Sequence, residues 1–132
     1  MSMKINCTVL TPDRVLYEGN VEFAVVQAFD GEMGFLYNHS PLVSELGYGE
    51  IRLHSGNDVN RLVVEGGLVE IRNNEMIILA ENAIKRNDLS APEIEKRLNE
   101  LVTQEKPADK TAKLMMDLEV KKLKARLRVA SK

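Results

Sequence analysis

Leu62-Val63-Val64-Glu65-Gly66-Gly67-Leu68-Val69-Glu70-Ile71-Arg72-Asn73-Asn74-Glu75-Met76-Ile77-Ile78-Leu79 is the stretch that decides the fold class. Three short β-rich runs are separated by Gly66-Gly67 and Asn73-Asn74, residue pairs suited to turns. Working toward the N-terminus, Glu50-Ile51-Arg52-Leu53-His54 alternates and stops at Ser55-Gly56-Asn57-Asp58, which reads as a hairpin turn. Val21-Glu22-Phe23-Ala24-Val25-Val26 follows Glu18-Gly19-Asn20 and ends at Asp30-Gly31. Ile5, Cys7 and Val9 alternate with Asn6 and Thr8, a strand with one buried face closed by Thr11-Pro12-Asp13. No connection among these runs is long enough to hold a crossover helix, so antiparallel pairing is favoured. The expectation is a two-layer β-sandwich.

Beyond Ala83 the hydrophobic period lengthens from two to about three and a half. Ser90-Ala91-Pro92-Glu93 reads as a capping box, with Ser90 accepting from first-turn amides and Glu93 reaching back. Pro92 is tolerated there because first-turn amides lack intrahelical acceptors. Ile94, Leu98, Leu101 and Val102 form one apolar stripe, and Pro107 ends the helix. Asp109 is placed to cap a second helix with a stripe of Ala112, Met116, Val120, Leu123, Leu127 and Ala130. A short link between two amphipathic helices, roughly 22 and 33 Å long by the helical rise, implies an antiparallel hairpin. The class is therefore α+β: an N-terminal antiparallel β-sandwich over residues 1–86, followed by a C-terminal antiparallel two-helix hairpin over residues 87–132. Narrow, alanine-containing stripes make the hairpin marginal alone, hence a candidate bistable element.

Composition narrows the function. The 132 residues are 44% hydrophobic and 29% charged, enough for a real core. A net charge of −2 is unlike a nucleic-acid binder. Cys7 is the only cysteine, which excludes an intramolecular disulfide or Cys-rich zinc framework; on the alternating face it reads as buried and inert. No apolar run approaches a membrane span, and Met1-Ser2-Met3-Lys4 carries no apolar signal region, so a soluble cytoplasmic chain is expected. Charge is unevenly placed: residues 1–86 hold 7 basic and 12 acidic side chains, residues 87–132 hold 11 and 8.

Several motifs in order carry a resemblance. Asp30-Gly31-Glu32-Met33-Gly34-Phe35-Leu36 precedes Asn38-His39-Ser40-Pro41-Leu42-Val43. Val64-Glu65-Gly66-Gly67-Leu68-Val69-Glu70-Ile71 and Ile78-Leu79-Ala80-Glu81-Asn82-Ala83 follow at the matching spacing. In these the chain resembles the epsilon subunits of bacterial F-type ATP synthases, well over residues 3–86 and by pattern and length in the helical tail. The resemblance implies a non-catalytic rotor subunit, without cofactor, on the cytoplasmic face of the cell membrane. Its sandwich would pack on the gamma subunit and touch the c-ring. Its hairpin would fold on the sandwich or extend to the alpha and beta subunits and restrain ATP hydrolysis, in a machine whose ATP synthesis is driven by proton transport. Neither nucleic acid nor bilayer insertion is implied.

The resemblance singles out Glu32, Met33, Tyr37, Asn38 and His39 as c-ring contacts. The residues alone allow a plainer reading, a glycine turn carrying Glu32 and a loop organised by His39 through backbone hydrogen bonds. Asp30, Glu32, His39 and His54 lack the third ligand or nucleophile motif that catalysis needs. Some relatives bind ATP through a motif of Ile or Leu, Asp, two variable residues, Arg and Ala. Here Leu89-Ser90-Ala91-Pro92-Glu93-Ile94 keeps only the first residue, and Glu93 would repel a triphosphate. Lys96, Arg97, Arg126 and Arg128 remain as weak phosphate attractants. Lys121, Lys122, Lys124, Arg126 and Arg128, with Lys132, crowd the second helix's last turns. Three roles fit them: complementing the helix dipole on a solvated face, lying on a membrane or nucleic acid, or docking on an acidic partner surface as an inhibitory tail. A function of another class, a free-standing sandwich that senses a small molecule or nucleotide with its hairpin permanently folded, is the alternative.

Overall fold

The computed structural model describes residues 3–131; Met1, Ser2 and Lys132, which enter the sequence reading above, lie outside the described residues. Eight strands come first: β1 (Ile5–Leu10), β2 (Val15–Val21), β3 (Phe23–Ala28), β4 (Gly31–Leu36), β5 (Leu42–Ser55), β6 (Asp58–Arg72), β7 (Glu75–Ala80) and β8 (Ala83–Lys85). A 3-10 turn at Arg86–Asp88 then leads to helices α1 (Ala91–Thr103) and α2 (Lys110–Ala130). The strands hydrogen-bond in the order β2-β1-β7-β6-β5-β3-β4, with β8 also on β6.

The sandwich arises because its two longest strands bend. β5 and β6 pair from Leu42↔Ile71 to Ser55↔Asp58, and their first and last halves serve different layers. Gly67 to Arg72 pair with β7, whereas Leu62 to Val64 pair with β8. Between those halves the strand turns at Gly66 (φ 81°) and Gly67 (φ 133°), a conformation that glycine alone adopts cheaply. A Cβ on Gly67 would sit 2.0 Å from the Leu79 carbonyl oxygen. Gly66-Gly67 is thus a kink within one strand rather than the break the sequence suggests. The kink also resets the alternation, so that Leu62, Val64, Val69 and Ile71 all enter the core. They meet Ile5, Cys7, Val9, Phe35, Ile51, Leu53, Met76 and Ile78 there. Burial pushes the Cys7 thiol up to about 12, which keeps it protonated and unreactive.

One pairing departs from the antiparallel expectation. β1 and β7 run parallel, from Asn6↔Glu75 to Leu10↔Leu79. The chain between them is the rest of the sandwich, which serves as the crossover that no single connection could supply.

The helices form the expected hairpin, held by Ile94, Leu101 and Leu123 with Leu98, Met116, Val120, Leu127 and Ala130 around them. Val102 does not join this stripe and is 61% exposed. Of the two expected caps, one forms: Asp109 accepts from the Ala112 amide at 3.0 Å. Ser90 occupies the N-cap position of α1 without a side-chain capping bond, so the capping box is not made.

Candidate functional site

The five residues expected on the c-ring do not converge on one loop. Glu32 and Met33 sit at the start of β4, and Tyr37, Asn38 and His39 lie beyond its other end. Met33 packs partly against the core. Glu32 accepts from Arg52 at 3.2 Å and lines a small cavity of about 90 Å³ with Gln27, Gly49, Glu50, Ala125, Arg128 and Val129. That puts Glu32 beside the footing of α2. At the opposite end, Asn38 and Asn74 staple two turns together. The Asn38 amide donates to Asn74 Oδ1 at 2.6 Å, and Asn74 Nδ2 donates to Asn38 Oδ1 at 3.1 Å. Both adopt left-handed backbone (φ 64° and 61°), which asparagine tolerates better than other non-glycine residues. His39 donates from its amide to the Leu36 carbonyl at 3.0 Å, and its Nδ1 lies 2.6 Å from the Ser40 carbonyl oxygen. Its ring stacks, tilted, on Phe35. His54 rests on Phe23, well separated in the sheet from Glu32, so the conceivable catalytic set is dispersed. Among the described residues no three metal-ligating side chains cluster, and no helix is long and apolar enough to cross a membrane.

The cations of α2 divide by face. Lys122 and Arg126 are half-buried against the sandwich, whereas Lys121, Lys124 and Arg128 are exposed. The ammonium groups of Lys121 and Lys122 lie 5.5 and 5.7 Å from the centre of the Tyr48 ring, within cation–π range. Arg126 grips Glu65 with two bonds, Nε to Oε2 at 2.6 Å and Nη2 to Oε1 at 2.9 Å. Asn82 Nδ2 completes the carboxylate's shell at 2.8 Å. Glu65 is only 2% exposed, the one charged residue in that state among the described residues. Burial pushes its carboxyl up, but the bonds from Arg126 and Asn82 and the guanidinium charge outweigh that, leaving it below the usual carboxylate value. The same pairing raises Arg126 further, mainly through its hydrogen bond to Glu65. Beside this latch, Ala125 and Val129 cover Val63 on β6.

Sequence reasoning quoted Glu65 and Asn82 only as family motifs and missed their role. The signal was present as an acidic residue directly after an apolar run, Leu62-Val63-Val64, with a glycine pair behind it. Ala125 and Val129 were missed because they fall off the first apolar stripe of α2 and define a second, opposite one. Of the phosphate attractants, Arg126 is taken by Glu65, and Arg97 contacts Glu119 at 3.1 Å and Glu100 at 3.5 Å.

A second feature is bare. Register places Leu68 opposite Leu79, and Leu79 beside Leu10, on the outer face of the layer that α2 does not cover. Leu68 and Leu79 are 43% and 49% exposed, and Val15, Val43 and Ile77 on neighbouring strands are exposed too. Isolated exposed apolar residues are ordinary, but a contiguous row across adjacent strands marks an interaction face.

Comparison with known proteins gives the family. Residues 4–86 match the beta-sandwich domain of the ATP synthase delta/epsilon chain. The chain is 34% identical over 129 residues to the ATP synthase epsilon chain of Leptospira borgpetersenii, covering 98% of this chain and 97% of that one. It is 44% identical over 79 residues to the epsilon chain of Alkalihalophilus pseudofirmus, covering 60% and 59%. Among solved structures, a chain of the Euglena gracilis mitochondrial ATP synthase superposes with a TM-score of 0.87 at 18% identity, covering all of this chain and 84% of that one. A chain of the Tetrahymena thermophila central stalk and c-ring gives 0.71 at 14% identity, covering 96% of both. With the sandwich matched over its whole length and full-length relatives above 30% identity, this chain belongs to the ATP synthase epsilon chain family.

Proposed function

We propose that the chain is a non-catalytic subunit of the central stalk of an F-type ATP synthase. It couples the catalytic head, through the gamma subunit, to the c-ring for ATP synthesis driven by proton transport, at the cytoplasmic face of the cell membrane. Torque passes through rigid contact, and a doubly layered sandwich with a continuous core suits that task. The observation that carries this reading is the bare apolar row Leu68, Leu79, Leu10 and Val15, paired side by side across four strands with Ile77 next to it, which no other part of the described chain covers. We assign it to the gamma subunit. Tyr37, Asn38 and His39, at the stapled turns, and Glu32 with Met33, on β4, are the proposed c-ring contacts. The hairpin is a removable restraint. Docked, it commits Lys121, Lys122 and Arg126 to the sandwich; extended, those cations with Lys124 and Arg128 reach an acidic surface of the alpha and beta subunits and inhibit hydrolysis.

Reconstitution tests both parts. The full chain should co-purify with the gamma subunit at one to one, and deleting residues 88–132 should raise ATP hydrolysis by the reconstituted head. A chain that stays monomeric beside gamma overturns the stalk assignment. Equal hydrolysis with and without the tail removes the inhibitory role and leaves coupling in place.

A further inference from the structure

The two layers of the sandwich part along one side. β2 ends the first layer, and β8, which pairs with β6, ends the second. β8 is only three residues long, so beyond Lys85 nothing pairs with that flank of β6, and the chain leaves as the 3-10 turn at Arg86–Asp88. The gap between β2, the first half of β6 and that turn is a cavity of about 290 Å³. Leu16 and Leu62, 4% and 2% exposed, belong to the core and give the cavity an apolar floor. Register pairs Lys85 with Leu62, and residues directly opposite share a face of the sheet, so Lys85 stands on the cavity side of β8.

The walls are polar and cationic. Tyr17, Asn60, Lys85 and Asn87 line the cavity, and among the described residues none of these four side chains has a hydrogen-bond or ion-pair partner. Burial pushes the Tyr17 phenol above its ordinary value, which keeps its hydroxyl a donor at neutral pH. Arg61 and Arg86 complete the wall. Arg61 also donates to Glu50 at 2.8 Å, so three cations stand against one carboxylate in this neighbourhood. No carboxylate lines the cavity itself; Asp58 and Asp88, the nearest acids along the chain, stay outside it. An excess of two positive charges thus borders one opening, in a sandwich that is acidic as a whole.

We infer that this cavity is a binding site for a phosphate monoester, a small organic molecule ending in a dianionic phosphoryl group. A monoester carries close to two negative charges near neutral pH, which matches the local excess of cations; a carboxylate or a phosphodiester carries one. The Lys85 ammonium, the Tyr17 hydroxyl and the carboxamides of Asn60 and Asn87 supply donors for its oxygens. Leu16 and Leu62 receive its apolar body. The volume falls just below the range of ordinary small-molecule sites, about 300–1,000 Å³, so that body is short. No residue of α1 or α2 lines the cavity, which separates it from the hairpin segment Leu89 to Ile94 where the nucleotide motif is lost. The site is likewise independent of the stalk role.

The test titrates the isotope-labelled full chain with n-butyl phosphate at constant ionic strength and follows the amide resonances by NMR. The side-chain signals of Asn60 and Asn87 should shift and saturate with a Kd of about 1 mM or below. Inorganic phosphate should saturate the same signals about tenfold more weakly, because it leaves Leu16 and Leu62 untouched. Dimethyl phosphate and acetate, both monoanions, should bind at least about tenfold more weakly than butyl phosphate. Lys85→Gln should weaken binding about tenfold and Lys85→Arg should retain it; Lys85 is exposed, and circular dichroism verifies folding. Lys96→Gln/Arg97→Gln, on α1, should change nothing. Shifts that grow without saturating, or that saturate equally in Lys85→Gln, overturn the site, as does loss of binding in the α1 variant. Equal affinity for dimethyl phosphate or acetate overturns the phosphate monoester as its ligand. Equal affinity for inorganic and butyl phosphate overturns the role of the apolar floor.

Discussion

Replacing Arg126 by alanine should release the hairpin from the sandwich. The apolar side chains that α2 buries there are Ala125 and Val129, against Val63. At roughly 25 cal/mol per Å² their burial contributes about 3 kcal/mol, and each lysine over Tyr48 adds about 0.5 kcal/mol. Removing Arg126 strands Glu65, which is 2% exposed and would keep only the bond from Asn82. Stranding a buried charge costs about 3 kcal/mol or more, as much as the apolar contact supplies. The carboxylate regains water only if α2 lifts away. Amides of α2 should therefore exchange with deuterium about a hundredfold faster in Arg126→Ala, while those of β1 and β7 stay protected. Glu65→Gln combined with Arg126→Met, which removes both charges and keeps volume, should restore most of that protection. Wild-type exchange in Arg126→Ala would refute the reasoning, because it would mean the ion pair contributes nothing that the apolar contact does not already supply.

Three further outcomes follow from the same geometry. Because Glu65 titrates below its ordinary value of 4.5 when docked, docking is strongest above that pH and is lost as pH falls through the depressed value; α2 exchange, corrected for intrinsic rate, should accelerate on acidification in the wild type and stay flat in Glu65→Gln. Gly67→Ala should cost about 3 kcal/mol in urea unfolding, since its Cβ meets the Leu79 carbonyl; Gly31→Ala, at φ 136° with open space around it, should cost about 1 kcal/mol, and equal losses would show that steric contact at the kink is unimportant. Asp109→Ala should destabilise α2 by about 1 kcal/mol, whereas Ser90→Ala should leave helicity unchanged by circular dichroism, because Ser90 makes no capping bond.

What was legible in the sequence, and what was not, divides along one physical line. Strands and helices announce themselves by local periodicity, so the sandwich, the hairpin, the Asp109 cap and the buried Cys7 could be read directly. Contacts between elements distant in the chain leave no period. The parallel pairing of β1 with β7 is such a contact, and so is Glu65 with Arg126, 61 residues apart. Gly66-Gly67 was misread for a related reason: a glycine pair signals that backbone must turn, but not whether hydrogen bonding stops or the strand merely bends. The bend is the consequential case. By continuing β5 and β6 through it, the chain builds one layer that α2 covers and another that it leaves bare. The charged latch sits at the boundary, where Glu65 is the last side chain before the kink. Moving the kink by one residue would reverse the alternation beyond it and turn Leu68 inward. The position of two glycines therefore sets both where the hairpin is held and which face remains for a partner.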